Sequence, residues 1–324
     1  MASSIKATCG PKLDLTLPFN PSRLENTCVL ITGGATSVGL GLCKALARLG
    51  SQVVIADINE DGREMSQSLL NEGLRVDFQQ TDVTDFDSQL NAFKTSRAIS
   101  DHGAVDIVIP CAGVSEKSFR EVLKSASENG FDHDPAPPST ATIDVNLKGV
   151  YYTTYLACHF FRSDVFHNSN YTDKQIVFVS SLAGYRPLQL NPGYAAAKYG
   201  VRGLWHAIRD QSEAILQGSQ CKIRMNLIAP FFVRTNLTRD ITESLEQRGI
   251  RIAEIGDVVD AALRCICDNT ISGRAIVTCC GDPPGSGNRN FDLEDDAAGG
   301  FTAFSMSSLI REGVFGSGFN MLDC

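Results

Sequence analysis

Three side chains in the second half of the chain have the types and spacing needed to move a proton. Tyr194 and Lys198 are four residues apart, so on a helix they share one face. Ser181 stands thirteen residues upstream, where an apolar run ends in SSLAG. A free phenol titrates near ~10, too high for a base at neutral pH, and a neighbouring ammonium favours the phenolate. Singly, each residue also fits a plain role: a core tyrosine, a surface lysine, a strand-end cap. Their order behind a nucleotide-type turn argues against coincidence.

That turn lies near the N-terminus, where the run 28–32 leads into TGGATSVGLGLCKAL, residues 32–46. Small residues opening onto a helix N-terminus let backbone N–H groups approach a pyrophosphate, and the helix dipole favours its charge. Gly33, Ser37, Val38 and Gly39 are the residues this places against the phosphates. Such a turn alone equally fits a plain strand-to-helix connection. Asp57 sharpens the choice. It closes the run 52–57, 18 residues after Gly39, near the spacing at which a carboxylate meets the adenosine ribose. There it accepts from the 2′-hydroxyl and repels a 2′-phosphate. Residues 34–38 and Ile58 supply no cation, so NAD is expected over NADP, with Arg63 the one basic residue that speaks against this. The competing role for Asp57 is N-cap of the helix that follows.

Positioning these groups calls for a doubly wound α/β fold. Nearly continuous apolar runs at 28–32, 52–57, 75–80, 105–110, 175–180, 222–228 and 274–279 read as about seven strands covered on both faces. Helical patterns at 39–49, 61–72, 85–100, 142–162, 194–216 and 256–268 alternate with them, the signature of a parallel sheet in one Rossmann-type domain. The expected division is a lead-in over 1–26, the catalytic domain over 27–281 and an extension over 282–324. The stretch 115–141, with its proline cluster, reads as a loop. The extension is rich in glycine and acid, yet carries Phe291, Phe301, Phe304, Phe315 and Phe319, too aromatic for a plain disordered tail.

With these motifs the chain resembles the short-chain dehydrogenase/reductase family. Thr32, Gly33 and Gly39 match its glycine motif, with Ser37 where the family usually has a glycine. Asp82 and Val83 resemble its adenine-contacting pair. Cys111, Ala112 and Gly113 occupy the place of its Asn-Ala-Gly. The resemblance covers about residues 25–280 and implies NAD-dependent hydride transfer between nicotinamide and a secondary alcohol or ketone. Tyr194 would be the acid/base, and Ser181 would hold the substrate oxygen. Lys198 would lower the phenol pKa and bind the nicotinamide ribose, and Asn146, in DVNLKG, would anchor a water of a proton relay. APFFVRT, 229–235, resembles the segment that caps the nicotinamide, giving Val233 and Thr235 as contacts, with Phe231 where the family has glycine. Residues 236–255 would follow as a substrate lid. SSLAG and Asp57 resemble the 15-hydroxyprostaglandin dehydrogenase-like group and secondary-metabolism dehydrogenases. The alternative is a non-redox isomerase or cyclase on the same scaffold.

The remaining composition narrows the partners. Net charge is −8 with no cluster of Lys and Arg, against a nucleic-acid or anionic-membrane surface. No run approaches the ~18 apolar residues of a membrane span, and the N-terminus lacks a secretory pattern, so a cytoplasmic protein is expected. Eleven cysteines without framework spacing read as reduced thiols, and no metal site is expected. Leu182, Tyr185, Leu188, Leu190, Phe231 and Phe232 are candidate edges of an apolar pocket, implying a bulky hydrophobic substrate. Tyr151, Tyr155, Phe160, Val201, Leu204 and Trp205 on the two long helices predict a homodimer or homotetramer.

Overall fold

The computed structural model describes residues 12–15, 17, 24–127, 134–168, 173–189, 191–217, 219–235, 238–250, 252–279 and 289–295. Every expected strand forms: β1 (Cys28–Thr32), β2 (Gln52–Asp57), β3 (Val76–Gln80), β4 (Ile107–Pro110), β5 (Asp173–Val179), β6 (Lys222–Pro230) and β7 (Ala275–Thr278). An eighth, β8 (Asn290–Asp292), comes from the expected C-terminal extension. The sheet order is β3-β2-β1-β4-β5-β6-β7-β8, parallel except that β8 pairs antiparallel with β7.

Alternate residues of each strand feed two cores. In β1, Val29 and Ile31 face one side and Leu30 the other; in β5, Val177 and Val179 oppose Ile176 and Phe178. The first side is covered by α1 (Ser37–Arg48), α2 (Asp61–Asn71) and α10 (Ile255–Cys267), through residues such as Leu42, Leu46, Leu69 and Val258. On the second lie α3 (Phe86–Ile99), α6 (Val150–His167) and α7 (Pro192–Ile208), through Phe93, Phe161 and Trp205. Burial on both faces is why β1, β2, β4 and β7 read as nearly continuous apolar runs, whereas the edge strand β3 is half-buried and carries Asp77, Gln79 and Gln80. Among the described residues no helix is long and apolar enough to cross a membrane.

Several segments differ from expectation. The stretch taken as a loop contains α4 (Phe119–Ser127), an amphipathic helix whose apolar residues Phe119 and Leu123 stay exposed. The expected lid contains α9 (Arg239–Gln247). The expected helix from 142 begins with the turn α5 (Ala141–Ile143) and a π-helical segment, Asp144–Gly149, before α6. The expected helix 194–216 is two, since α7 stops at Ile208 and a single turn, α8 (Ser212–Ile215), follows. Of the six residues offered for assembly, Phe160, Val201 and Trp205 are buried within the chain, whereas Tyr151 and Tyr155 remain 55% exposed. The apolar surplus on these helices is therefore smaller than the sequence suggests.

Strand order reverses at β1, whose neighbours are β2 and β4. A ligand crevice forms outside the carboxyl ends of the strands at such a switch point. Here those ends are Thr32 and Pro110, a register pair.

Candidate active site

At the end of β1 the chain turns through Gly33 at φ +69°, where a Cβ would lie 2.6 Å from the Ala112 Cα. Gly39 is equally constrained, because a Cβ there would approach the Gly33 carbonyl oxygen to 2.0 Å. The turn thus folds against the start of α1 with no space for side chains. Ser37, first residue of α1, has φ +48°, a left-handed conformation that costs a non-glycine residue roughly 1–2 kcal/mol. That geometry explains why a glycine suits this position. Thr32 Oγ1 accepts from the Cys111 and Ala112 N–H groups at 3.2 and 3.4 Å, tying the ends of β1 and β4 together.

Asp57 is held at the end of β2. Its Oδ2 accepts from the Ala35 N–H at 2.9 Å and its Oδ1 from the Asn59 N–H at 3.0 Å. It does not cap α2: Asn59 Oδ1 accepts from the Asp61 N–H instead. The carboxylate is therefore fixed beside the glycine turn. Arg63 projects from α2 over the Phe78 ring, 5.3 Å from its centroid. Asp82 Oδ1 accepts from the Thr84 N–H and hydroxyl, both at 2.8 Å, and Val83 is buried against Gly149.

The strand–turn–helix that carries Ser181, Tyr194 and Lys198 is compact. Ser181 follows β5, and its Oγ accepts from the Ala183 N–H at 3.1 Å, starting a 3-10 turn over Leu182–Gly184. The Ser181 hydroxyl donates to the Pro230 carbonyl at 3.3 Å and lies close enough to the Tyr194 phenol to favour its ionised form. Pro192 occupies the first turn of α7, where a missing N–H costs nothing. The N-cap residue Asn191 makes no side-chain cap; Glu116 supplies the acceptor, taking the Tyr194 N–H at 2.9 Å. Sequence reasoning missed Glu116, and nothing local in its segment marks it.

One turn further, the Lys198 ammonium donates to the Val179 carbonyl at 3.1 Å and lies 5.7 Å from the Tyr194 ring centroid. Burial pushes it down to about 8, against a smaller upward pull from the Cys111 thiol. Burial also raises the Tyr194 phenol above its ordinary value. Burial therefore sets the direction of the phenol's shift in the chain by itself, and only the Ser181 hydroxyl opposes it. Asn146 lies wholly buried in the π-helical segment, a departure from α-geometry frequent at functional sites. Both ends of its amide grip Val114: Oδ1 accepts from the N–H and Nδ2 donates to the carbonyl, each at 2.8 Å.

Val233 is buried and bridges to Ala253, while the Thr235 hydroxyl meets that of Thr238 at 3.0 Å. Arg234 between them pairs with Glu246, in the last turn of α9, and with Glu254, the N-cap of α10. Ser37 and Thr235, nearly two hundred positions apart, line one cavity of about 440 Å³ with Arg239 and Thr242. A larger cavity of about 490 Å³ lies at the amino ends of β1, β4 and β5, beside Thr27, Asp106 and Asp173. Of the expected pocket edges, Leu182, Tyr185 and Phe231 are core residues, with Leu188 and Phe232 packed against them. Leu190 lies outside the described residues, as do Phe301, Phe304, Phe315 and Phe319.

Residues 27–246 match the family model for short chain dehydrogenases. The chain is 35% identical to the 5'-hydroxyaverantin dehydrogenase of Dothistroma septosporum over 89% of this chain and 93% of that protein. It is 31% identical to the NADP-dependent dehydrogenase M3 of a Phoma species, over 90% of this chain and 86% of that one. The crystal structure of gox2181 superposes with a TM-score of 0.62 at 27% identity, covering 79% of this chain and 95% of the other. The chain belongs to the short-chain dehydrogenase/reductase family. It is an oxidoreductase whose fold takes a nicotinamide cofactor and a small-molecule substrate.

Proposed function

We propose that this protein moves a hydride between NAD(H) and a secondary alcohol or ketone on a bulky hydrophobic molecule, with Tyr194 as acid/base. The observation that carries the reading is the convergence of Ser181, Tyr194 and Lys198 at the carboxyl end of β5, beside the Gly33–Gly39 turn. The turn that excludes any Cβ, the α1 N-terminus and the fixed Asp57 carboxylate fit a dinucleotide. Gly33, Ser37, Val38, Gly39, Asp82, Val83, Cys111, Ala112, Gly113, Val233 and Thr235 would hold it, with Lys198 on the nicotinamide ribose. When bound, the cofactor supplies the hydride acceptor or donor and, oxidised, a positive ring that draws the phenol pKa down. Ser181 orients the substrate oxygen toward the phenol. Tyr194 then takes or gives the proton on that oxygen, typically worth 10²–10⁴ in rate. Asn146, locked to Val114 in the irregular helix turn, would anchor a water of the proton relay.

NAD is preferred over NADP in this reading because the Asp57 carboxylate, held by the Ala35 and Asn59 N–H groups beside the glycine turn, would repel a 2′-phosphate, although relatives are named NADP-dependent. The substrate is of the kind named for the hydroxyaverantin relatives, which come from Dothistroma and Emericella. Self-association is proposed through the exposed Tyr151 and Tyr155, next to Phe86, and a monomer mass by light scattering at micromolar concentration would refute it. The functional test is the absorbance of reduced nicotinamide while 5'-hydroxyaverantin and a panel of other secondary alcohols and ketones are turned over. Product formation without any change in cofactor redox state would replace this reading with a non-redox isomerase or cyclase.

A further inference from the structure

We propose that Asp295, in the segment after β8 and beyond the stretch that matches the family model, is a positioning residue for the Ser181–Tyr194 pair. It ties the turn after Ser181 to the helix that carries Tyr194 and Lys198. The proposal rests on the reading of Tyr194 as acid/base.

The Asp295 carboxylate is fully buried and is bound from two elements at once. From the turn, the Tyr185 hydroxyl donates to Oδ2 at 2.7 Å. From α7, Arg202 donates through Nε to Oδ2 at 2.8 Å and through Nη2 to Oδ1 at 2.7 Å, a two-pronged bond that fixes both oxygens. His206 approaches Oδ2 to 3.1 Å, and Arg209 donates to the Asp295 main-chain carbonyl at 2.7 Å. Arg202, His206 and Arg209 lie along one stripe of α7 and just past its end, beginning one turn after Lys198.

The two elements are also joined to one another. The Tyr199 hydroxyl, next to Lys198, donates to the Tyr185 carbonyl at 2.6 Å, and the Arg202 guanidinium lies 4.3 Å from the Tyr185 ring centroid. Tyr185 closes the turn that Ser181 begins, its N–H bonded to the Leu182 carbonyl at 2.9 Å. The result is a closed loop of contacts from Ser181 through Tyr185, Asp295 and Arg202 back to α7. Rotation of the turn against the helix changes the distance from the Ser181 hydroxyl to the Tyr194 phenol, and Asp295 resists that rotation. Misplacement of about 1 Å at a reacting centre can cost up to 10²-fold in rate, so this clamp acts on turnover without touching the substrate.

A bystander carboxylate would affect stability alone; a positioning residue changes turnover per folded molecule and the ionisation of Tyr194. The experiment uses the full-length protein carrying Asp295→Asn or, with the ring's packing kept, Tyr185→Phe. Each should lower kcat about tenfold, leave NAD affinity by calorimetry unchanged, and displace the pH–rate profile, because the nearby Ser181 hydroxyl favours the Tyr194 phenolate and would move with the turn. Spectrophotometric titration gives a readout independent of turnover. The difference between Tyr185→Phe and the double variant Tyr185→Phe/Tyr194→Phe isolates the Tyr194 phenol, which should titrate away from its position in the wild-type protein. If Asp295→Asn does not fold, Tyr185→Phe carries the test alone. Unchanged kcat and unchanged Tyr194 titration, with only a lower melting temperature, would overturn the clamp. A shifted Tyr194 titration in a protein that reduces no ketone and oxidises no alcohol would instead uphold the clamp and defeat the reading of function.

Discussion

Strand β5 has a buried lysine at each end, and the two are treated in opposite ways. At its start, Lys174 is fully buried and its three N–H groups reach the Val105 carbonyl at 2.6 Å, Asp106 at 3.1 Å and Asp164 at 3.3 Å. The surroundings are paired in turn: Asp164 with Arg97, Asp106 with the Cys28 N–H and with His102. Burial would raise the Asp106 carboxyl, but the His102 bond and the Lys174 charge hold it below its usual value, and the same bond raises His102. At the other end of β5, Lys198 has one bond, to the Val179 carbonyl, and forms no ion pair with a carboxylate among the described residues. A compensated buried charge is part of the scaffold. An under-compensated one, perturbed and beside an ionisable phenol, is where binding energy remains to be gained from a ligand. The cavity beside Asp106 and Asp173, at the amino ends of β4 and β5, is the larger of the two, yet the candidate site lies at their carboxyl ends.

The largest expected effect breaks the compensated end. Lys174→Met strands Asp164, which burial already pushes up, and should cost about 3–5 kcal/mol in denaturant unfolding. Turnover per folded molecule should stay at the wild-type value; loss of turnover without loss of stability would erase the contrast between the two ends. Next in size is Tyr194→Phe, expected to lower kcat at least ~10²-fold, about 2.7 kcal/mol, with NAD affinity and unfolding free energy little changed. Residual activity above half would remove Tyr194 from the mechanism.

Lys198→Met should act oppositely to Lys174→Met. The folded protein releases this proton near pH 8, whereas an unfolded lysine keeps it to about 10.5. Between those values the unfolded chain binds more protons, so stability rises with pH across that window and is lowest, from this source, below pH 8. Replacing the lysine should therefore raise stability at pH 7 by about 2–3 kcal/mol in the protein without cofactor and flatten the pH dependence between about 8 and 10.5. It should also weaken NAD binding and move the pH–rate profile to higher pH. A destabilised Lys198→Met would mean that the two lysines are alike. The smallest effect is at Asp57. NAD should bind at least tenfold more tightly than NADP, about 1.4 kcal/mol, and Asp57→Ala should narrow that gap by calorimetry. Equal or tighter NADP binding by the wild-type protein would assign the carboxylate to holding Ala35 and Asn59 alone.

The two ends were not equally legible. The site end carries glycines, a strand-end acid and a Tyr-x-x-x-Lys step, all local patterns with a local physical cause, and the structure brings Ser181, Tyr194 and Lys198 together as their spacing implies. Lys174, Asp106 and Asp164 carry no such pattern. They are separated in sequence and meet only because β4, α6 and β5 are neighbours, so nothing short of the topology could pair them. Glu116 is the same case within the site, reaching the α7 N-terminus from a distant loop.

Sequence by itself determined the strands, because a strand buried on both faces is mostly apolar, and it determined the turn at Gly33 and Gly39, because no side chain fits there. It also determined the face shared by Tyr194 and Lys198, because helical spacing is a property of the backbone. Tertiary structure decided which way burial moved the ionisable groups, since desolvation depends on what packs around a residue and not on its neighbours in the chain. It decided that α4 forms without a core face and that Asn290–Asp292 becomes a strand, since a three-residue edge strand has only its partner β7 to define it. It decided, finally, that Asp295 reaches Tyr185 and Arg202: the three are bound by the fold across about ninety to a hundred and ten positions, a separation over which local pattern carries no information.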